Sequence, residues 1–135
     1  KLFFMTLNQE KTAEILSVID DYVRFYNEKS ESKVLALFSK TVSGFGTGRD
    51  EVVEDFRQLK GRIHADLDPA NAIRLSVRVI ATGGEMPAAW VTAFCNLYGM
   101  IGKKPIHLEG RMTAVLVNRG GRWLFEQIHF SAPDA

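Results

Sequence analysis

The stretch Arg111-Met-Thr113-Ala-Val-Leu-Val-Asn118-Arg-Gly120-Gly-Arg-Trp123-Leu-Phe125-Glu126-Gln-Ile128-His129-Phe130-Ser131-Ala-Pro133 decides the fold. It reads as two long strands joined at Asn118-Arg119-Gly120-Gly121, a Gly-rich hairpin signal. Regular alternation along the second strand puts Trp123, Phe125, Gln127 and His129 on one face and Leu124, Glu126, Ile128 and Phe130 on the other. Both faces are then largely apolar. An antiparallel strand with one wet side alternates cleanly, so this strand is expected to be covered on both sides. One cover is the domain's own helices. The other is most simply a second copy of the chain, which predicts a homodimer through the outer face of the long strands. Glu126 falls within the apolar row of Leu124, Ile128 and Phe130, where a concave ligand site could begin.

Working towards the N-terminus, period-two patterning persists back to about residue 72 and predicts strands at 72–82, 88–100, 104–118 and 122–131. Strands this long must twist and curl. A one-residue bulge near Asn118 would exchange Arg111 and Thr113 with Met112 and Ala114. The inward face of 104–118 therefore stays open. Before residue 70 the period is helical. Ile15, Ile19, Tyr22 and Tyr26 form the stripe of a first helix over 8–28, with Asn8 as its cap, and a short second helix spans 33–38. Residues 42–48, with Gly44, Gly46 and Gly48, read as a short strand or turn. A third helix is predicted over 50–65, capped by Thr47 or Asp50, with Val52, Phe56, Leu59 and Ile63 as its stripe. The sum is one domain over 1–135 of the α+β class: three N-terminal helices packed on a strongly curved antiparallel sheet, cone-shaped, with a pocket between helices and sheet.

Composition narrows the function classes. The chain has 135 residues, 46% of them hydrophobic and 24% charged, with 17 basic against 16 acidic side chains. That mixed balance gives no clustered basic face, so nucleic acid is not an expected partner. No apolar run approaches the roughly 18 residues of a membrane span, and the segment from Lys1 to Leu7 is too short for a signal peptide's apolar region and cleavage site. The single cysteine, Cys95, lies in a predicted strand and reads as a buried, inert thiol in a reducing compartment, cytoplasmic by default. The chain begins without Met, which is compatible with a domain of a longer protein. Gly44-Phe45-Gly46-Thr47-Gly48 lacks the Lys-Ser/Thr of a phosphate-binding loop. His64, His107 and His129 lie on three different elements and predict no metal site.

The element order resembles the SnoaL-like group of the nuclear transport factor 2-like (ketosteroid isomerase-like) superfamily. The resemblance is carried by Gly46-Thr47-Gly48-x-Asp50-Glu51, by Arg111-x-Thr113, and by Gly121-x-Trp123 with His129-x-Ser131-x-Pro133. It covers residues 8–133. It implies a pocket-forming scaffold but no single activity, since the fold hosts isomerases, cyclases, dehydratases, transport factors and association domains. Tyr22 resembles the isomerases' oxyanion-donating tyrosine. Their general base has no carboxylate counterpart in 41–45, and their second donor would fall near Thr113. The final-strand pocket positions correspond to Glu126, Ile128 and Phe130. Association domains share the ending matched by Trp123, His129 and Ser131, but their final-strand arginine corresponds to Phe130.

Three functions follow as expectations. The first is a binding protein whose pocket accepts an apolar or aromatic small molecule bearing a carbonyl or carboxylate. Trp90, Phe94, Asn96, Arg111, Ile128 and Phe130 would line it, because large aromatics with a few convergent polar groups are what such pockets contain. The second is an isomerase, cyclase or dehydratase needing no cofactor. Glu126 would act as acid and base, its pKa raised by an apolar wall, and Tyr22 as oxyanion donor. The third is a non-catalytic association module. For Glu126 the competing reading is an ion pair with Arg111 that holds neighbouring strands together.

Overall fold

The computed structural model describes residues 7–133; residues 1–6, most of the segment read above for a leader, lie outside it. Asn8 caps α1 (Gln9–Asn27) through its side chain, which accepts the Lys11 N–H at 2.8 Å. The stripe Ile15, Ile19, Tyr22 and Tyr26 is buried, as the spacing requires. At the far end of α1 the Asn27 amide donates to Leu75 O at 2.9 Å and accepts from Leu75 N at 2.7 Å, binding the helix to an edge strand as a neighbouring strand would.

A short α2 (Glu31–Leu35) leads into β1 (Phe38–Phe45), so Phe38 opens a strand instead of closing a helix. The chain then turns at Gly46–Glu51 and returns as β2 (Val52–Val53), antiparallel to β1. This displaces the predicted start of the third helix. The β-branched pair Val52 and Val53 joins the ladder, and α3 (Phe56–Asp66) begins after Asp55, whose carboxylate accepts the Gln58 N–H at 2.9 Å.

The four long strands are β3 (Asn71–Glu85), β4 (Ala88–Ile101), β5 (Lys104–Arg119) and β6 (Arg122–Ser131). With β1 and β2 they form one six-stranded sheet in the order β2-β1-β6-β5-β4-β3, in which only the β1–β6 pair is parallel. The sheet is curved and unclosed, and the helices pack against it: an α+β fold. Gly44 lets β1 lie close against β6, since a Cβ there would lie 1.9 Å from Ile128 O. No helix among the described residues is long and apolar enough to cross a membrane.

Strand parity decides what faces the helices. On β4 the small residues Ala89, Val91, Ala93 and Cys95 are buried inward, and on β5 Gly110, Met112, Ala114 and Leu116 are. The open question for β5 is thereby answered, with Arg111 and Thr113 outward. On β6 the regular alternation fails. Val115 pairs with Gln127 but Leu116 pairs with Phe125, so Glu126 is an extra residue, a β-bulge. Trp123 and Phe125 before it, and Ile128 and Phe130 after it, all face inward, while Glu126, Gln127 and His129 face out. The apparent second apolar face of this strand is one face interrupted by a bulge, and the argument for a partner drawn from β6 falls with it.

Candidate functional site

Between α1, α3, β1 and the concave side of the sheet lies a cavity of about 110 Å³. Its body is apolar and aromatic. Tyr22 and Tyr26 come from α1, Phe38 and Phe45 from β1, Leu59 and Ile63 from α3, Ile128 and Phe130 from β6. Tyr22 is the hub of this wall. Its ring stacks on Phe130 at 6.5 Å, meets Phe125 edge-on at 5.6 Å, and lies 6.0 Å from both Phe38 and Tyr26. Burial pushes the Tyr22 and Tyr26 phenols well above their ordinary pKa, each seconded by a nearby charge or polar group that includes Asp66. Both hydroxyls keep their protons at any ordinary pH. Cys95 also borders the cavity, and burial raises its thiol above its ordinary value, which disfavours the thiolate form.

One end of the cavity is polar. The Gly48 N–H donates to Glu51 Oε2 at 2.9 Å, and Glu51 Oε1 lies 3.4 Å from Arg62. Arg62 in turn donates from Nε and Nη2 to Asp66 Oδ1, at 3.1 and 2.8 Å. Both bonds fall on one oxygen, and Asp66 Oδ2 has no partner among the described residues. Burial raises the Asp66 pKa. The charge and hydrogen bonds of Arg62 oppose that shift without cancelling it, and Glu51 adds to it. A carboxyl so placed can accept a hydrogen bond, hold a cation or exchange a proton with whatever occupies the cavity.

Of the residues singled out from sequence, Tyr22, Ile128 and Phe130 line this cavity together. Trp90, Phe94, Asn96 and Arg111 do not. They stand on the outer face of β4 and β5, where Trp90 is 52% exposed and Phe94 faces Arg111 across the ladder. The physical reason is room: on β4 the inward face takes the small side chains Ala89, Val91, Ala93 and Cys95, and the aromatics of that strand are on the convex side. Trp90 there covers Gly83, whose missing side chain leaves space for the indole. Thr113 is outward as well.

Glu126 is also outside the cavity, turned out by its own bulge. It accepts Arg119 at 2.6 Å, and Thr41 Oγ1 lies 2.8 Å from both of its oxygens. Burial acts to raise its pKa, but hydrogen bonds from Thr41, Ser39 and Arg119 and the charge of Arg119 outweigh it and hold the carboxyl below the usual range. That is the signature of a strand-joining carboxylate. Its partner is Arg119 and not Arg111.

Sequence reasoning passed over Tyr26, Glu51, Arg62 and Asp66 as site residues. Asp66 carried two signals. It continues the stripe of Leu59 and Ile63 at helical spacing, a carboxylate on a buried face. It also occupies the last turn of a helix, where the backbone dipole disfavours negative charge. Arg62 lies one helical turn before it on α3, and Glu51 is brought to the pair only by the Gly46–Glu51 turn.

Residues 15–135 match the family model of the SnoaL-like domain. No curated protein matches the sequence. Among solved structures, the chain is similar to an NTF2-like protein of unknown function from Pseudomonas putida KT2440, with TM-score 0.83, 12% identity, and 96% of this chain and 91% of that one covered. It is also similar to a protein of unknown function with a cystatin-like fold from Nostoc punctiforme PCC 73102, with TM-score 0.76, 13% identity and 97% of each chain covered. A ketosteroid isomerase-like protein from Erwinia carotovora atroseptica SCRI1043 matches with TM-score 0.79 and 14% identity, over 95% of this chain and all (100%) of that one. At these identities the structural likenesses speak for the fold alone. With the family model spanning nearly the whole sequence, the chain belongs to the family of the SnoaL-like domain.

Proposed function

We propose that the protein binds a small apolar or aromatic molecule in the cavity between its helices and curved sheet. The observation that carries this reading is an aromatic wall centred on Tyr22 that ends in the chain Gly48–Glu51–Arg62–Asp66. The size narrows the ligand. An engineered apolar cavity of about 150 Å³ takes up benzene, so about 110 Å³ suits one ring and not a steroid nucleus. The test is calorimetry with single-ring probes such as toluene and phenol on the wild type and on Ile128→Trp, whose indole fills the space. Saturable binding that the variant abolishes, with circular dichroism unchanged, supports the reading; equal binding by both proteins refutes it.

A second reading is cofactor-independent proton transfer, with Asp66 in place of Glu126 as acid and base and Tyr22 as hydrogen-bond donor. It is favoured by the raised pKa of a carboxyl that borders the cavity.

The expected homodimer rests on other strands than β6. Ile80, Trp90, Phe94 and Tyr98 share the outer face of β3 and β4 and are 51, 52, 41 and 43% exposed. Sedimentation of the wild type and of Phe94→Glu tests it: a dimer that the charge dissociates is the expected result.

A further inference from the structure

We infer that the ligand carries a hydrogen-bond donor or a positive charge, an amine or a hydroxyl on its ring system, and that Asp66 Oδ2 receives it. Anionic ligands are excluded. The inference rests on the cavity reading above and specifies the chemistry at its polar end.

Charge and unused valence at the polar end select this chemistry. The polar end holds one guanidinium and two carboxylates, Glu51 and Asp66, so the ionised cluster carries one negative charge in excess. Arg62, the cation that would otherwise attract a carboxylate or phosphate, is already engaged. Its Nε and Nη2 donate to Asp66, and its third nitrogen lies against Glu51. An incoming anion would have to break these contacts while facing two carboxylates. Glu51 is engaged at both of its oxygens, by Gly48 N–H and by Arg62. Asp66 differs. Arg62 approaches only Oδ1, which fixes the plane of the carboxylate and leaves Oδ2, on a residue that borders the cavity, without a partner among the described residues. A carboxylate oxygen is acceptor-only, so its complement is an O–H, an N–H or an ammonium group. The remaining wall suits such a ligand too. Tyr22, Tyr26, Phe45 and Phe130 all line the cavity, and an aromatic ring attracts a cation over its face while doing nothing for an anion. Arg62 acts here as a positioning residue, through Asp66.

The test uses four probes of one size at pH 7.5: toluene, benzyl alcohol, benzylamine and benzoate, titrated by calorimetry into the whole chain. Benzylamine and benzyl alcohol are expected to bind at least tenfold more tightly than benzoate. Asp66→Asn should weaken benzylamine at least tenfold and leave toluene within twofold. Because Asp66→Asn also disturbs Arg62, toluene binding to that variant serves as the check that the cavity persists. Arg62→Lys, which keeps the charge but loses the two-point hold on Oδ1, should weaken benzyl alcohol without admitting benzoate. Benzoate binding as tightly as benzylamine while toluene still binds would overturn the inference and spare the cavity reading. The same holds if Asp66→Asn leaves the ranking unchanged. Failure of all four probes to bind the wild type would overturn both.

Discussion

Deleting Glu126 outright should cost little, and that outcome separates the bulge from regular alternation. In the folded protein Leu116 pairs with Phe125 and Val115 with Gln127, so Glu126 occupies no position of its own in the β5–β6 ladder. Removing it leaves Phe125 inward, Gln127 outward and Ile128 inward, an unbroken period of two. No buried side chain changes face. What is lost is the contact with Arg119, half exposed and so about 0.2–1 kcal/mol, together with the Thr41 hydrogen bond at about 0.5–1.5 kcal/mol. The expected destabilisation is therefore about 1–2.5 kcal/mol. Were β6 a regular strand, the same deletion would turn Ile128 and Phe130 out of the core. At about 1.5–3 kcal/mol for each side chain, that would cost at least 3 kcal/mol before any polar group is forced inward. Urea denaturation followed by tryptophan fluorescence measures the difference. Deletion of Thr113 from the unbroken part of β5 is the control. It swaps Met112 with Arg111 at the buried face and should prevent folding. A ΔGlu126 protein destabilised by 4 kcal/mol or more, or unable to fold, refutes the bulge as the source of strand parity.

Other consequences follow from individual contacts. Asn27→Ala removes both bonds to the Leu75 backbone and should destabilise by about 1–3 kcal/mol; hydrogen exchange should quicken first at the Leu75 amide. Gly44→Ala drives a Cβ against Ile128 O and should cost about 3 kcal/mol in thermal or chemical denaturation, by pushing β1 off β6. The folded pKa of Glu126 is depressed, so its contribution to stability is fully present above the usual carboxylate range. It is lost as pH falls through the folded value. Glu126→Gln should therefore flatten the acid side of a stability-versus-pH curve and leave stability differences constant above pH 6. The raised pKa of Asp66 has the opposite sign: its ionisation opposes folding, and protonation relieves that as pH falls through its folded value. Asp66→Asn should accordingly steepen the acid limb.

Patterns of neighbouring residues made much of this protein legible in its sequence. A helical stripe or a period-two run is written within ten or fifteen residues, so α1, the four long strands and their α+β arrangement follow from local spacing and hydrophobic burial. Tyr22, Ile128 and Phe130 were legible for the same reason, as apolar positions on elements whose inner face the pattern marks. Tertiary structure decided the rest. Alternation is a rule of parity, so one inserted residue at Glu126 moved Ile128 and Phe130 to the same side as Phe125 and put the carboxylate on the other. Which side of β4 faces the helices is a matter of side-chain volume across the fold, which sent Trp90 and Phe94 outward in favour of Ala89 and Ala93. The Arg62–Asp66 pair was visible at helical spacing. Glu51 reaches it only because the chain turns at Gly46 and pairs Val52 with Phe45, and Tyr22 and Tyr26 face it from a helix some forty residues away. Charges and rings so far apart in the chain meet only through packing, where one face of each element must be buried against another.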